Sequence, residues 1–117
     1  MYVLTLGHVP NPDIRGGYWE TPVDDGAPKK KHLNTLAECI TEAAAYIHRN
    51  HLGGGNWADR THNCGRITKG GEPVAWVAFN GRLFDGPTPD WRDYKAMAAH
   101  RELDPETGLP FPNQEII

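Results

Sequence analysis

Histidine and cysteine side chains crowd one stretch of this 117-residue chain: His48 and His51 in the spacing H-x-x-H, then His62 and Cys64 in H-x-C. Zinc takes four such ligands in tetrahedral geometry, and two histidines three apart on a helix can share one ion. The spacing matches no standard zinc module, however. Histidines near a helix C-terminus also have a plainer role, because their protonated forms complement the helix dipole. The same residues could build a nucleophile: Cys64 activated by His62, or by His48 or His51 across the loop, with Asp59 or Asn56 orienting the imidazole. No family-specific signature surrounds Cys64, and a free cysteine is more often an inert small hydrophobe. Cys39, which falls on a helical apolar stripe, reads that way.

The segment between the two histidine pairs, G-G-G-N-W-A-D-R-T-H-N-C-G over residues 53–65, reads as a long loop. Loops held by a rigid scaffold are where function concentrates. Its glycines are not a phosphate-binding loop, since they follow a helix and no Lys-Ser/Thr pair opens another. Four tryptophans serve a small chain. Trp76 and Trp91 fall at apolar-periodic positions, whereas Trp19 and Trp57 fall in loops, where tryptophan favours protein interfaces. Trp19, Asn56, Trp57, Asp59 and Arg60 are therefore the expected partner-binding residues. His48, His51, His62 and Cys64 are the candidate metal set.

These residues need elements to position them. Thr35-Leu36-Ala37-Glu38 has the capping-box pattern, and Leu36, Ile40, Ala43 and Ile47 repeat at helical spacing with Cys39 and Tyr46 flanking. A helix over 35–52 follows, with Gly53 as its left-handed cap. Downstream, residues 65–86 hold the densest apolar run. They predict a three-stranded meander of Arg66–Lys69, Pro73–Phe79 and Arg82–Asp85, turned at Gly70-Gly71 and Asn80-Gly81 by type I′ turns. Those turns set Lys69 opposite Glu72, Ile67 opposite Val74 and Val77 opposite Phe84. Residues 2–9 read as a first strand, with Tyr18–Thr21 as a candidate hairpin partner. Residues 22–31, with their Lys29-Lys30-Lys31 triplet, read as a solvated polar loop. A second helix is expected over 90–103, and residues 104–117 as an extended tail.

Composition bounds the function. Apolar residues make up 38% and charged residues 23%, which suits one globular α+β domain rather than a disordered chain. No apolar run reaches the ~20 residues a bilayer span needs and nothing resembles a signal peptide, so a soluble, cytoplasmic protein with reduced thiols is expected. The net charge of −3 is uneven, with residues 29–70 cationic between anionic ends. A strongly basic nucleic-acid binder is not indicated. The order helix, three strands, helix is similar to that of double-stranded RNA-binding domains, but the second helix opens Pro89-Asp90-Trp91-Arg92-Asp93. Acids there would repel RNA, so nucleic acid is not the expected partner.

The expectation that follows is an antiparallel sheet of four or five strands with two helices. It would serve a small non-enzymatic protein-binding domain without a cofactor. A phage- or plasmid-type inhibitor that occludes a host defence complex, such as a CRISPR effector, suits this size and character. An exposed sheet edge could also pair two copies as a homodimer. The alternative is a zinc-binding protein or a hydrolase centred on His48, His51, His62 and Cys64.

Overall fold

In a computed structural model of the chain, residues 1–57, 62–86 and 101–112 are described. They form an α+β fold: a five-stranded antiparallel sheet with two helices. The strands are β1 (Tyr2–Leu6), β2 (Lys29–Leu33), β3 (Arg66–Lys69), β4 (Glu72–Val77) and β5 (Leu83–Phe84), in the spatial order β2-β1-β3-β4-β5. The helices are α1 (Leu36–Arg49) and the single turn α2 (Gly54–Trp57). The second helix expected over 90–103 lies outside the described residues as far as residue 100. Its last residues are extended instead, with Glu102 bridged to Phe84 and Leu103 to Pro110. The tail likewise turns back on itself from residue 104: the Asp104 N–H donates to the Leu109 carbonyl at 2.9 Å and Gly108 N–H to Asp104 at 2.7 Å.

Helix α1 starts where the capping pattern places it. The Thr35 hydroxyl oxygen accepts the Glu38 N–H at 3.1 Å, which satisfies one of the orphan donors of the first turn. The end differs from expectation. His51, not Gly53, takes the left-handed conformation, with φ 54°. The His51 N–H donates to the His48 carbonyl and the Leu52 N–H to the Ile47 carbonyl, which together close a Schellman motif. The helix buries Leu36, Cys39, Ala43 and Tyr46, with Ile40 and Ile47 half-buried beside them. Their counterparts on the sheet are Leu4, Ile67, Ala75, Val77 and Leu83, each no more than 1% exposed. Burying one such side chain contributes about 1.5–3 kcal/mol, so this layer anchors the loops around it.

Two registers differ from expectation, each for a local reason. Lys69 does face Glu72, and Gly70 and Gly71 both have positive φ, as a type I′ turn requires. Pro73 cannot donate to the ladder, so the pairing jumps there. Ile67 faces Ala75 and Thr68 faces Pro73, leaving Val74 bulged out. At the next turn only Gly81 is left-handed. Residues Phe79, Asn80 and Gly81 make a three-residue loop closed by the Ala78 N–H on the Arg82 carbonyl at 2.8 Å, and the strands slip by one. Val77 faces Leu83 and Trp76 faces Phe84. A one-residue slip exchanges faces. Leu83 therefore enters the helix-side core, while Phe84 stacks on Trp76 on the other face, with ring centroids 5.0 Å apart.

The largest departure concerns the lysine triplet. Residues 29–33 are not loop but strand β2, paired along their length with β1 from Leu6↔Lys29 to Tyr2↔Leu33. Tyr18–Thr21 does not pair with β1, both of whose edges are taken, by β2 and β3.

Candidate functional site

Between β1 and β2 the chain makes a long excursion, residues 7–28, with no strand or helix of its own. Backbone groups without a ladder must find partners elsewhere. Two fully buried asparagines supply them. The Asn50 Oδ1, at the end of α1, accepts the N–H groups of Val23 at 2.9 Å and Asp24 at 2.7 Å. Its amide nitrogen donates to Asp24 Oδ2 at 2.9 Å and to the Tyr46 carbonyl at 3.1 Å. The Asn56 amide in α2 donates to the carbonyls of Val9 at 2.9 Å and Gly17 at 2.8 Å, while its Oδ1 accepts the Gly53 N–H at 2.9 Å. The excursion is thus bolted on both sides of its tip, to α2 through Asn56 and to the C-terminal end of α1 through Asn50.

That tip carries Trp19, 74% exposed. Its indole nitrogen lies 3.7 Å from where a Cβ on Gly53 would stand, so the ring lies against the chain at residue 53. Beside it, Glu20 meets His51 Nδ1 at 3.3 Å. A groove of about 490 Å3 runs along Gly16, Tyr18, Trp19, Glu20, Thr21 and Pro22. A second, of about 380 Å3, lies between Ile47, His48, His51 and Leu52 on one side and Phe79 and Asn80 on the other. Phe79 is 44% exposed, and its ring would touch a Cβ on Gly54. Val23, exposed as well, is tied to Asn50. Exposed apolar side chains thus gather around residues 50–54, with two histidines and a glutamate between them.

Under this surface lies a buried polar cluster. His8 Nδ1 and the Tyr46 hydroxyl are 2.7 Å apart, and the His8 ring meets Tyr18 edge-on with centroids 5.5 Å apart. Burial holds the His8 pKa below its ordinary value, although the charges of Asp24 and Asp25 pull the other way. Burial likewise raises Tyr46 and Tyr18. Asp24 is held low by hydrogen bonds from Asn50 and from Arg49. The cluster is closed off, since His8 is only 3% exposed, so it positions the loop from beneath and meets no ligand as it stands.

The expected residues part ways in the structure. Trp19 stands at the surface, as expected of an interface residue. Asn56 and Trp57 do not, both being wholly buried. Trp57 donates its indole N–H to the Val77 carbonyl at 2.9 Å and packs on Tyr46. Gly65, with φ 85°, lets the chain pass close by, because a Cβ there would run into the Val77 carbonyl and press on the Trp57 ring. Their roles are to hold the loop in place, not to contact a partner. Asp59 and Arg60 lie outside the described residues.

The metal set does not assemble. Among the described residues no three histidine, cysteine or acidic side chains come together as a metal site. His51 turns to Glu20 on the outer surface, while Cys64 is wholly buried, its sulfur 3.4 Å from a Cβ position on Gly7. A sealed thiol of this kind offers a substrate no approach, which also counts against a Cys64 nucleophile. Cys39 is buried too, and its thiol is pushed up to about 11 by desolvation, so thiolate is scarce at neutral pH.

Phe79, Val23 and Glu20 were not singled out by the sequence. Phe79 reads as the end of an apolar strand, and only the three-residue loop turns it outward. Neither a scan against protein-family models nor searches of curated proteins and of solved structures finds a match for this chain. No helix among the described residues is long and apolar enough to cross a membrane.

Proposed function

We propose that this chain is a non-enzymatic protein-binding domain whose contact surface is the end of α1, with Trp19 and Phe79 as its anchors. The observation that carries this reading is the presentation of Trp19. A large amphipathic ring stands 74% exposed on a segment with no secondary structure of its own, yet its neighbours are fixed by two buried asparagines. Exposed tryptophan on a pre-ordered support loses little entropy on binding, and such rings dominate interface energetics. The left-handed His51 supports the same surface. A non-glycine residue at positive φ is strained, and such strain clusters at functional positions. The narrower form of the reading, an inhibitor that occludes a host defence complex, rests on the chain's small size and mild acidity.

The test is capture from native-host lysate by tagged protein, with recovered partners quantified by mass spectrometry. Wild type should enrich a stoichiometric protein that Trp19→Ala loses by roughly 30-fold in affinity, the equivalent of about 2 kcal/mol at a hot spot. Leu109→Ala, which removes an exposed apolar side chain elsewhere, should leave it unchanged. Equal recovery by the Trp19 and Phe79 variants would rule out this surface.

A further inference from the structure

Among the described residues β2 is an edge of the sheet, with no strand beyond it. The opposite edge, β5, is two residues long and already bridged at Phe84 by Glu102. Along β2 the residues Lys29 to His32 are all exposed, and an edge strand leaves alternate backbone N–H and C=O groups without a ladder partner on its outer side. Lysine on an edge strand keeps like edges apart. Two β2 strands laid antiparallel would set lysine against lysine, which disfavours a homodimer through this edge.

The same charges favour a different strand. Between β2 and α1 runs a groove of about 230 Å3 lined by Leu6, Ala45 and Tyr46, by the cations Lys29, Lys30, Lys31 and Arg49, and by one acid, Glu42. Arg49 is held on Asp24, but Lys29 lies 3.8 Å from Asp25 and Lys31 3.3 Å from Glu42 with both lysines half-exposed or more. Exposed ion pairs of this sort hold weakly and can exchange one carboxylate for another. Lys30, which also lines the groove, makes no ion pair among the described residues. A strand added to β2 would send alternate side chains toward α1, where cations line the groove.

We infer that β2 is a docking edge for an acidic extended segment of a partner protein, which adds to the sheet as a sixth strand. Backbone bonds to the edge would supply affinity, and Lys29 and Lys31 would select carboxylates at alternate positions. This surface is separate from the Trp19 patch.

The probe is a capped peptide of about nine residues alternating Glu and Thr, enough to span an edge strand. It is titrated into the full chain by fluorescence anisotropy, with amide hydrogen exchange read at residues 29–33. Binding should protect β2 amides and weaken as salt rises through the range where surface charges are screened. It should fall at least tenfold for the Lys29→Glu, Lys31→Glu double variant and at least tenfold for a peptide N-methylated at alternate amides. Trp19→Ala should bind the peptide as wild type does, so that failure of the surface patch and failure of this edge are told apart. No binding, equal binding of a Lys-Thr peptide, or undiminished binding of the N-methylated peptide would each overturn the inference. The last would reduce the edge to a cationic patch. Protection of β2 that appears with protein concentration alone would also overturn it, in favour of a self-paired edge.

Discussion

Replacing Asn56 with alanine separates a structural bolt from an interface residue. The side chain makes three hydrogen bonds in a position with no solvent exposure. Removing it does not leave three groups stranded, because the Gly17 carbonyl also accepts the Asn11 N–H at 2.9 Å. The Gly53 N–H and the Val9 carbonyl lose the partner that Asn56 gave them. A buried polar group left unsatisfied costs about 1–3 kcal/mol; both groups here are only part-buried, so the variant should lose about 2 kcal/mol. That is a large share of the roughly 5–15 kcal/mol that holds a domain together. Urea denaturation followed by tryptophan fluorescence reads the loss. With a slope of about 1–3 kcal/mol per molar, the midpoint should fall by about 1 M or more while the slope stays unchanged. Asn56→Asp, which keeps the acceptor for Gly53 but has no donor for Val9 and Gly17, should be similarly damaging. If Asn56→Ala unfolds within about 0.3 M of wild type yet loses partner binding, Asn56 is a contact residue and does not support the loop.

At position 51 glycine should be more stable than alanine by about 1 kcal/mol in thermal melts, since the left-handed region costs a side chain about 1–2 kcal/mol. A position inside the helix would give the reverse order. The buried His8 resists protonation relative to the unfolded chain, so stability should be level above about pH 7 and should fall as pH drops below about 6.5, where the unfolded state takes up the proton first. His8→Gln should flatten that part of the profile if it folds. Asp24, with its pKa held low, contributes stability that is present above about pH 4 and lost as pH falls through its folded value, and Asn50→Ala should weaken that acid-side dependence. Both cysteines should react with a thiol reagent at neutral pH only after denaturant is added, because both are fully buried. Prompt labelling of Cys64 in the folded protein would reopen its candidacy as a nucleophile.

Elements whose signal is local could be read from the chain. Thr35 and Glu38 mark the start of α1, and Gly70-Gly71 marks a turn, because capping and positive φ are decided within a few residues. The α+β antiparallel architecture follows from those elements. Strand β2 could not be read, because Lys-Lys-Lys-His has low strand propensity and shows no apolar alternation. It is a strand because β1 pairs with it, and pairing is a tertiary fact. Asn56 and Trp57 were misplaced for a related reason. Amide and indole groups in a glycine-rich segment resemble exposed contact residues until their hydrogen-bond partners, Val9, Gly17 and Val77, are known to be brought within reach. Trp19 carries the same ambiguity and is exposed. The histidines were legible by type, but spacing along the chain could not show that Glu20 meets His51 while Cys64 faces Gly7.

The strand order has a consequence for how the chain is made. β1 is synthesised ahead of the other strands yet sits inside the sheet, between β2, which follows more than twenty residues later, and β3, which begins at Arg66. Until Arg66–Lys69 has left the ribosome, one side of β1 is an unsatisfied template beside Leu4 and Leu6. Long-range pairing of this kind is slow, since the loop must close before the contact rewards it. A nascent chain halted in the segment before β3 would carry α1 and a β1–β2 hairpin with its inner edge bare. Chaperone occupancy, or aggregation in its absence, should peak there and decline once β4 has emerged to complete the layer.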